Sequence, residues 1–386
     1  MTAAPASAPP DTGPGGGRSM LAAVLRAPGQ PLTVETVELA PPGAGEVLVR
    51  VEAAGICHTD QHYMAGDMTC LLPAVMGHEG AGIIESVGPG VSRFAPGQRV
   101  CMMWRPRCGE CRYCVTGFPA MCERAVVQST YGGLLDGTSR LRLGGGPLHH
   151  LLGASCFAQY AVVSERAVVA VPDDVPPEIA AIAGCAVITG VGAVLNAVGA
   201  CAGRSLAVFG AGGVGLSAVL GAQLAGANPI VVVDVVPERL QMALDLGATH
   251  VVDASAADPV EQLAEIVPGG LDFAIEAIGR PESIAQAFTA LRPRGTVVVV
   301  GLGRIDTTVS LPLNQWVQRE KRVIGSLYGS ANPVVDLPRL FDLYRSGRLR
   351  LDALIGTRYP LAAVNEAYAD LASGVVGRGV LLPWNS

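Results

Sequence analysis

The stretch that most restricts the fold is Gly210-Ala211-Gly212-Gly213-Val214-Gly215, a G-x-G-x-x-G run after an apolar segment, 206–209, and at the head of a helical pattern. The first glycine permits a tight strand-to-helix turn, the second lets a phosphate approach the backbone, and the third lets helix pack on strand. Alone, such a run is also an ordinary glycine-rich turn. Its surroundings narrow the choice. From Ser205 onward, apolar strand runs at 230–234, 250–252, 273–275 and 296–300 alternate with helical patterns at 238–246, 259–267 and 281–291. That alternation predicts a doubly wound parallel sheet covered on both faces, an α/β Rossmann domain. Asp234 ends the strand after the turn, 19 residues beyond Gly215, where a carboxylate accepts from a ribose diol and repels a 2′-phosphate. NAD is therefore expected over NADP, with Arg239 a second ribose contact that weakens the preference.

The N-terminal half has a different texture. Strands are predicted at 21–25, 32–38 and 46–53, then after turns at Gly77–Gly88 and Gly97, separated by Pro and Gly. This reads as a β-rich, partly open barrel, with a Gly- and Leu-rich excursion at 131–153 and a strand pair at 157–163 and 167–171. Small-residue helices follow at 179–198. After about 327 come helices at 334–346 and 361–373 and a last strand at 379–382. Residues 1–18, rich in Ala, Pro, Gly and Ser, lack the basic start and apolar core of a secretion signal and read as a flexible tail. A net charge of −6 with no long basic run argues against nucleic acid. Apolar runs such as 230–233 are too short to span a membrane. Ten cysteines without an export signal favour metal ligation or core packing in a reducing cytoplasm over a disulfide framework.

Cys108, Cys111, Cys114 and Cys122, spaced C-x2-C-x2-C-x7-C, predict a tetrahedral four-sulfur zinc site, closed and so structural. An iron–sulfur cluster shares the first three spacings, but its run continues C-x3-C-P, which this chain does not. A zinc-ribbon interaction module is the third reading. Arg105, Arg107, Arg112 and Arg124 give it charge but no aromatic stacking pattern. A second site has to be assembled from distant positions: Cys57 in Gly55-Ile56-Cys57-His58-Thr59-Asp60-Gln61-His62, read as a loop, with His78 and Cys185. Two cysteines and a histidine leave one tetrahedral position open, the catalytic pattern. Taken singly, each of the three is more often a buried core residue; together, beside a dinucleotide fold, the balance reverses.

These stretches, with Gly77-His78-Glu79, Asp136–Arg140, His149-His150 and Gly184-Cys185, resemble the zinc-dependent alcohol dehydrogenases of the medium-chain dehydrogenase/reductase superfamily. The resemblance covers nearly everything after residue 20, and Asp136–Leu152 resembles the class I-like and class III-like members. It implies a GroES-like catalytic domain (19–186 and 328–386, with the cysteine lobe at 108–122) and a Rossmann domain (187–327). It also implies two zinc ions per chain, NAD, and a dimer or tetramer. By the resemblance, Cys57, His78 and Cys185 hold the catalytic zinc, with Glu79 beside it and Asp60 fixing the His78 ring. Thr59 and His62 form a proton relay. His58 and Arg378 meet the cofactor pyrophosphate, and Thr189 and Val214 lie against the nicotinamide. Trp104, Met68, Leu151 and Leu152 line the substrate channel.

The reaction so implied is reversible hydride transfer between a hydrophobic primary alcohol (aliphatic, allylic or aromatic) and NAD. An imidazole, which titrates near neutrality, suits the last step of the relay, although His62 also reads as a plain surface histidine. A glutathione- or mycothiol-linked formaldehyde dehydrogenase is the close alternative, kept open by Arg105 and Arg107. An enzyme that retains its NAD is a third, and a non-enzymatic cofactor-binding relative predicts a missing ligand where none is missing. His149 and His150 read as structural, and Cys70, Cys101, Cys156 and Cys201 as small buried residues.

Overall fold

The computed structural model describes residues 17–125 and 133–385. Residues 1–16 of the expected tail, and Tyr131 and Gly132 of the excursion, lie outside them. Arg18, assigned to the tail, begins the first strand, Arg18–Leu25.

Arg18–Leu25 pairs antiparallel with Thr33–Leu39. The ladder continues through Leu141–Leu143 and Gly146–His150 and closes on Ala74–Val75. The excursion is therefore part of the barrel, where sequence suggested an irregular insertion. Its two strands are three and five residues long and glycine-rich at the turn, too short for a readable alternation. Arg140 ties this hairpin down, donating from Nε to Glu46 Oε2 at 2.8 Å and from Nη2 to Asp136 Oδ2 at 3.2 Å.

A second sheet runs in the order Val168–Ala170, Arg99–Met102, Gly80–Val87, Glu46–Gly55, Arg378–Leu382, Ile355–Pro360, with Tyr160–Ser164 also paired to Glu46–Gly55. Its register decides where the functional residues go. Ala54 faces Gly80 on one side, and Gly55 faces Val380 on the other. The residues just beyond those ends, Cys57, Glu79 and Arg378, are thus delivered to one place by three strands distant in sequence.

The six strands from Leu206 to Gly325 form the parallel sheet, in the order His250–Asp253, Ile230–Asp234, Leu206–Phe209, Leu271–Glu276, Leu291–Val299, Arg322–Gly325. Numbered along the chain this is 3-2-1-4-5-6, the Rossmann order, and ligands bind where the direction of winding reverses, beyond the carboxyl end of the first strand. That end carries Gly210–Gly215. Two strands, Arg322–Gly325 and Ile355–Pro360, escaped the sequence reading because they lie at sheet edges and carry exposed Arg and Thr in place of an apolar run.

Between the sheets runs a continuous helical segment, Pro177–Val198, with a π-helical turn at Ala183–Val187. It is long and apolar enough to cross a membrane, yet 89% of its apolar window is buried within the protein, so its hydrophobicity is that of a core helix. The stretch expected as a loop after Gly55 is instead a helix, His58–Ala65, ended by Gly66 in the left-handed conformation (φ 85°). Its sequence hides it: only Asp60 and Tyr63 turn inward, so no apolar period marks the buried face.

Candidate active site

Cys57 ends the strand-to-helix junction, and His78 and Glu79 precede the strand Gly80–Val87. Cys185 lies in the π-helical turn. Ligand atoms of these four residues all fall within 4.8 Å of one another, and all four residues are buried. Cys185 Sγ is 3.5 Å from His78 Nε2. On the other side of the ring, Asp60 Oδ2 is 3.0 Å from Nδ1, off the line of a straight hydrogen bond, while its Oδ1 accepts from the Gly77 amide at 3.1 Å. The carboxylate thus claims Nδ1 and turns Nε2 toward the sulfurs, the arrangement that fixes the tautomer of a metal-bound histidine.

The electrostatics follow from crowding these groups in the dark of the core. A hydrogen bond from Cys185 drives the Cys57 thiol well below its usual range, with Arg378 and His78 helping against burial, and the same shared proton pushes Cys185 up. Burial alone would lower His78, but the anionic Asp60 and Cys57 outweigh it and hold its pKa up. Burial raises Glu79 to about 7 despite Arg378. The donor set itself fits zinc: a thiolate, a second sulfur, an imidazole nitrogen and a carboxylate oxygen converge in a dry pocket.

Arg378 joins this cluster to the dinucleotide turn. Its Nη2 donates to Glu79 Oε1 and its Nε lies 3.3 Å from Glu79 Oε2, both side chains being buried. A Cβ on Gly213 would stand only 3.0 Å from Arg378 Nη1. Here the glycine requirement is physical, and it is stricter still at Gly215, whose added Cβ would sit 1.7 Å from the Gly210 carbonyl oxygen. Gly212 precedes the twelve-residue helix Gly213–Leu224, and a Cβ there would meet nothing within 4 Å. The open side of the turn is a helix N-terminus, a natural seat for phosphate. His58 stands exposed at the rim; desolvation at the cleft wall and the cations Arg378 and Arg239 lower its pKa, against the Cys57 thiolate. Gly190, the neighbour of the buried Thr189, packs on the helix that follows the turn, where a Cβ would be 2.2 Å from the Val214 carbonyl oxygen. Asp234 is buried with its carboxylate braced by the turn: Oδ2 accepts from the Ala211 amide at 2.6 Å, and Oδ1 from Val235 and Val236.

Thr59 and His62 sit three residues apart on the helix His58–Ala65, and so on one face. Met68, Trp104, Leu151 and Leu152 join one apolar cluster with Tyr63 and Met76. Leu151 is only 1% exposed, a core residue more than an open channel wall. Trp104 stands edge-on to His78 at 6.4 Å between ring centroids. Arg105 is spent elsewhere, its Nε donating to the Ala120 carbonyl at 3.1 Å. His150 is buried, accepts from the Arg140 amide at 3.3 Å, and is pushed down to about 3 by burial, consistent with a structural residue. Cys101, Cys156 and Cys201 are fully buried, whereas Cys70 is half-buried.

The second cluster is the lobe. Cys108, Cys111, Cys114 and Cys122 also place their sulfurs within 4.8 Å. Backbone amides point at sulfur, Cys108 N to Cys122 Sγ and Cys111 N to Cys108 Sγ, both at 3.3 Å. Such donors favour thiolates, as a closed zinc site needs.

One residue was not visible in the sequence. Tyr328, with a left-handed φ of 55°, is buried, donates its hydroxyl to the Gly184 carbonyl and packs tilted against Trp104, 4.9 Å between ring centroids. No spacing announces it, because both partners are more than 140 positions away. It grips the π-turn one residue before Cys185. Tyr328→Phe removes that buried hydrogen bond, a cost of about 0.5–1.5 kcal/mol. Zinc should then leave the Cys57–His78–Cys185 site faster in a chelator competition; an unchanged release rate would show that the hydroxyl does not hold the ligand turn.

Residues 43–173 match the alcohol dehydrogenase GroES-like domain and residues 213–345 the zinc-binding dehydrogenase family. The chain is 41% identical to the NDMA-dependent alcohol dehydrogenase of Amycolatopsis methanolica over 94% of this chain and 98% of that protein. Among solved structures, the benzyl alcohol dehydrogenase of Acinetobacter calcoaceticus is 36% identical with a TM-score of 0.89, covering 95% of this chain and 99% of that one. A zinc-binding dehydrogenase from Sinorhizobium meliloti 1021, bound to NADP, is 30% identical with a TM-score of 0.78, covering 95% and 99%. With both sulfur clusters, the Rossmann order and these relatives in agreement, the chain belongs to the zinc-dependent alcohol dehydrogenases of the medium-chain dehydrogenase/reductase superfamily.

Proposed function

We propose that this alcohol dehydrogenase oxidises hydrophobic primary alcohols (aliphatic, allylic or aromatic) to aldehydes, reversibly and with NAD. The observation that carries the reading is Arg378, which touches both Glu79 in the ligand cluster and Gly213 in the phosphate turn. Metal donors and dinucleotide seat thereby share one cleft. Cys57, His78 and Cys185, with Glu79 alongside, would hold one zinc ion, and the four lobe cysteines a second. When bound in the first site, zinc lowers the pKa of an alcohol hydroxyl and polarises an aldehyde carbonyl. A bound nicotinamide accepts or returns the hydride.

The chain's own residues then have distinct tasks. Thr59 receives the alcohol proton and His62, one turn along the same face, passes it to solvent. Asp60 keeps the His78 ring turned to the sulfurs. Gly210, Gly212, Gly213 and Gly215 admit the pyrophosphate, with His58 and Arg378 supplying positive charge, while Thr189 and Val214 border the nicotinamide. Asp234 and Arg239 flank the adenosine ribose, and the carboxylate supports NAD over NADP. Met68, Trp104 and Leu152 give the substrate side its apolar character.

The compartment we propose is the cytoplasm, and the assembly a dimer or tetramer. Of the two arginines behind the thiol-linked alternative, Arg105 turns its Nε to the lobe backbone, which weakens that reading in part. A second reading of the electron acceptor has one observation behind it, the NDMA dependence in the name of the Amycolatopsis relative. An alcohol and aldehyde panel with NAD, NADP and NDMA, run with and without low-molecular-weight thiols, tests all of these. The expected result is thiol-independent oxidation of primary alcohols with added NAD, by protein carrying two zinc ions per chain. Turnover only with NDMA, an absolute thiol requirement, or one zinc per chain would each overturn the corresponding part.

A further inference from the structure

His62 does not end in open solvent. Its Nδ1 is 3.1 Å from Asp67 Oδ2, and the side chains are 29% and 24% exposed. Local structure explains the pairing. The helix His58–Ala65 stops at left-handed Gly66, whose turn swings the chain back, and the Met68 amide donates to the His62 carbonyl at 3.2 Å. Asp67 is thereby pinned against the ring. Its other oxygen, Oδ1, is 3.3 Å from Nη1 of Arg304, which also lies 3.5 Å from Asp306 through Nε. Arg304 belongs to the far half of the molecule, in the segment after the parallel strand Leu291–Val299 and 237 positions from Asp67. That segment leaves the carboxyl edge of the Rossmann sheet, the edge at which the dinucleotide turn lies.

We propose that Asp67 is the positioning residue of the proton-exit histidine and that Arg304, reaching over from the coenzyme-binding half, holds Asp67 in register. The inference rests on the reading of His62 as the end of the relay. With Asp67 as its acceptor, His62 keeps a proton on Nδ1 and presents Nε2 as the basic nitrogen. A proton arriving at Nε2 leaves from the same atom to water, while Asp67 keeps its place at Nδ1. The ring would otherwise rotate between two faces and two tautomers at the mouth of the cleft. Stability is not the purpose of this trio. Arg304 is 67% exposed, and exposed ion pairs of this kind hold little folding energy. Substitutions here therefore leave a folded enzyme, which makes the kinetic test readable.

The experiment compares zinc-loaded full-length His62→Ala, Asp67→Ala, Arg304→Ala and the His62→Ala/Asp67→Ala and Asp67→Ala/Arg304→Ala double variants in alcohol oxidation with saturating NAD, with and without added imidazole. His62→Ala should lower kcat about tenfold or more, and imidazole should restore part of it by serving as the missing base. Asp67→Ala should lower kcat about fivefold with the alcohol KM unchanged and be rescued by imidazole in the same way. The His62→Ala/Asp67→Ala variant should be no slower than His62→Ala, and Arg304→Ala should show a loss of about twofold that vanishes on the Asp67→Ala background. Asp67→Ala within twofold of the parent, beside an impaired His62→Ala, overturns the role of Asp67 alone. Losses at His62 and Asp67 that multiply do the same, since they would show separate functions. An unimpaired His62→Ala overturns the relay reading and this inference with it.

Discussion

Cys57→Ala should abolish turnover while leaving the protein folded, with zinc falling from two ions per chain to one. The two halves of that expectation have different physical grounds. Activity depends on Cys57 because it is one of the two buried sulfurs in the four-residue donor cluster, and sulfur is a preferred zinc ligand. Without it, His78 and Cys185 remain, and two ligands do not hold zinc as three do. A loss of about a thousandfold or more in kcat/KM, about 4 kcal/mol of transition-state stabilisation, is expected. The fold survives because Cys57, although it precedes a helix, makes no capping hydrogen bond with its side chain. Deleting one buried sulfur leaves only a small cavity, costing about 1–2 kcal/mol. Metal analysis, circular dichroism and an alcohol assay on one preparation check it. Retained activity, or loss of both zinc ions together with the native spectrum, would defeat the separation of catalytic from structural site.

How far these features can be read from sequence depends on how local their cause is. Gly210–Gly215 and the four lobe cysteines announce themselves because each needs a fixed spacing within a single turn. The strand and helix alternation around them gave the parallel sheet. Cys57, His78 and Cys185 carry no such spacing. They meet because Ala54 faces Gly80 and Gly55 faces Val380 in the ladder, and because a π-turn lifts Cys185 into the same space. Only resemblance to a family could join them in advance. The helix His58–Ala65 was read as a loop because its inward face is made of Asp60 and Tyr63, polar groups buried for the sake of the site. Tyr328, Asp67 and Arg304 were missed for a further reason. The Tyr328–Gly184 and Asp67–Arg304 contacts join residues 144 and 237 positions apart, and no short-range pattern records them.

Arg378→Met should be the most destabilising single change at the cleft, at about 3–5 kcal/mol. Arg378 and Glu79 are 5% and 0% exposed and make a two-point contact far from water. Burial already lifts Glu79 to about 7 with the guanidinium in place. Removing the cation takes away the partner that offsets the desolvation of Glu79, so the buried carboxyl must either hold its charge without the guanidinium or take up a proton. The thermal unfolding temperature of the zinc-loaded protein should fall by several degrees, at about 1 °C per kcal/mol for a chain of this size. Arg378→Met/Glu79→Gln separates the two roles of the arginine. Glutamine removes the unpartnered carboxyl, so most of the lost stability should return. Dinucleotide affinity should not, because the positive charge beside Gly213 is still gone. NAD titration followed by protein fluorescence reads the second quantity independently of the first. If the double variant recovered both, Arg378 would be a structural counter-ion alone; if Arg378→Met unfolded within about 2 °C of the parent, the buried pair would not be holding the cleft together.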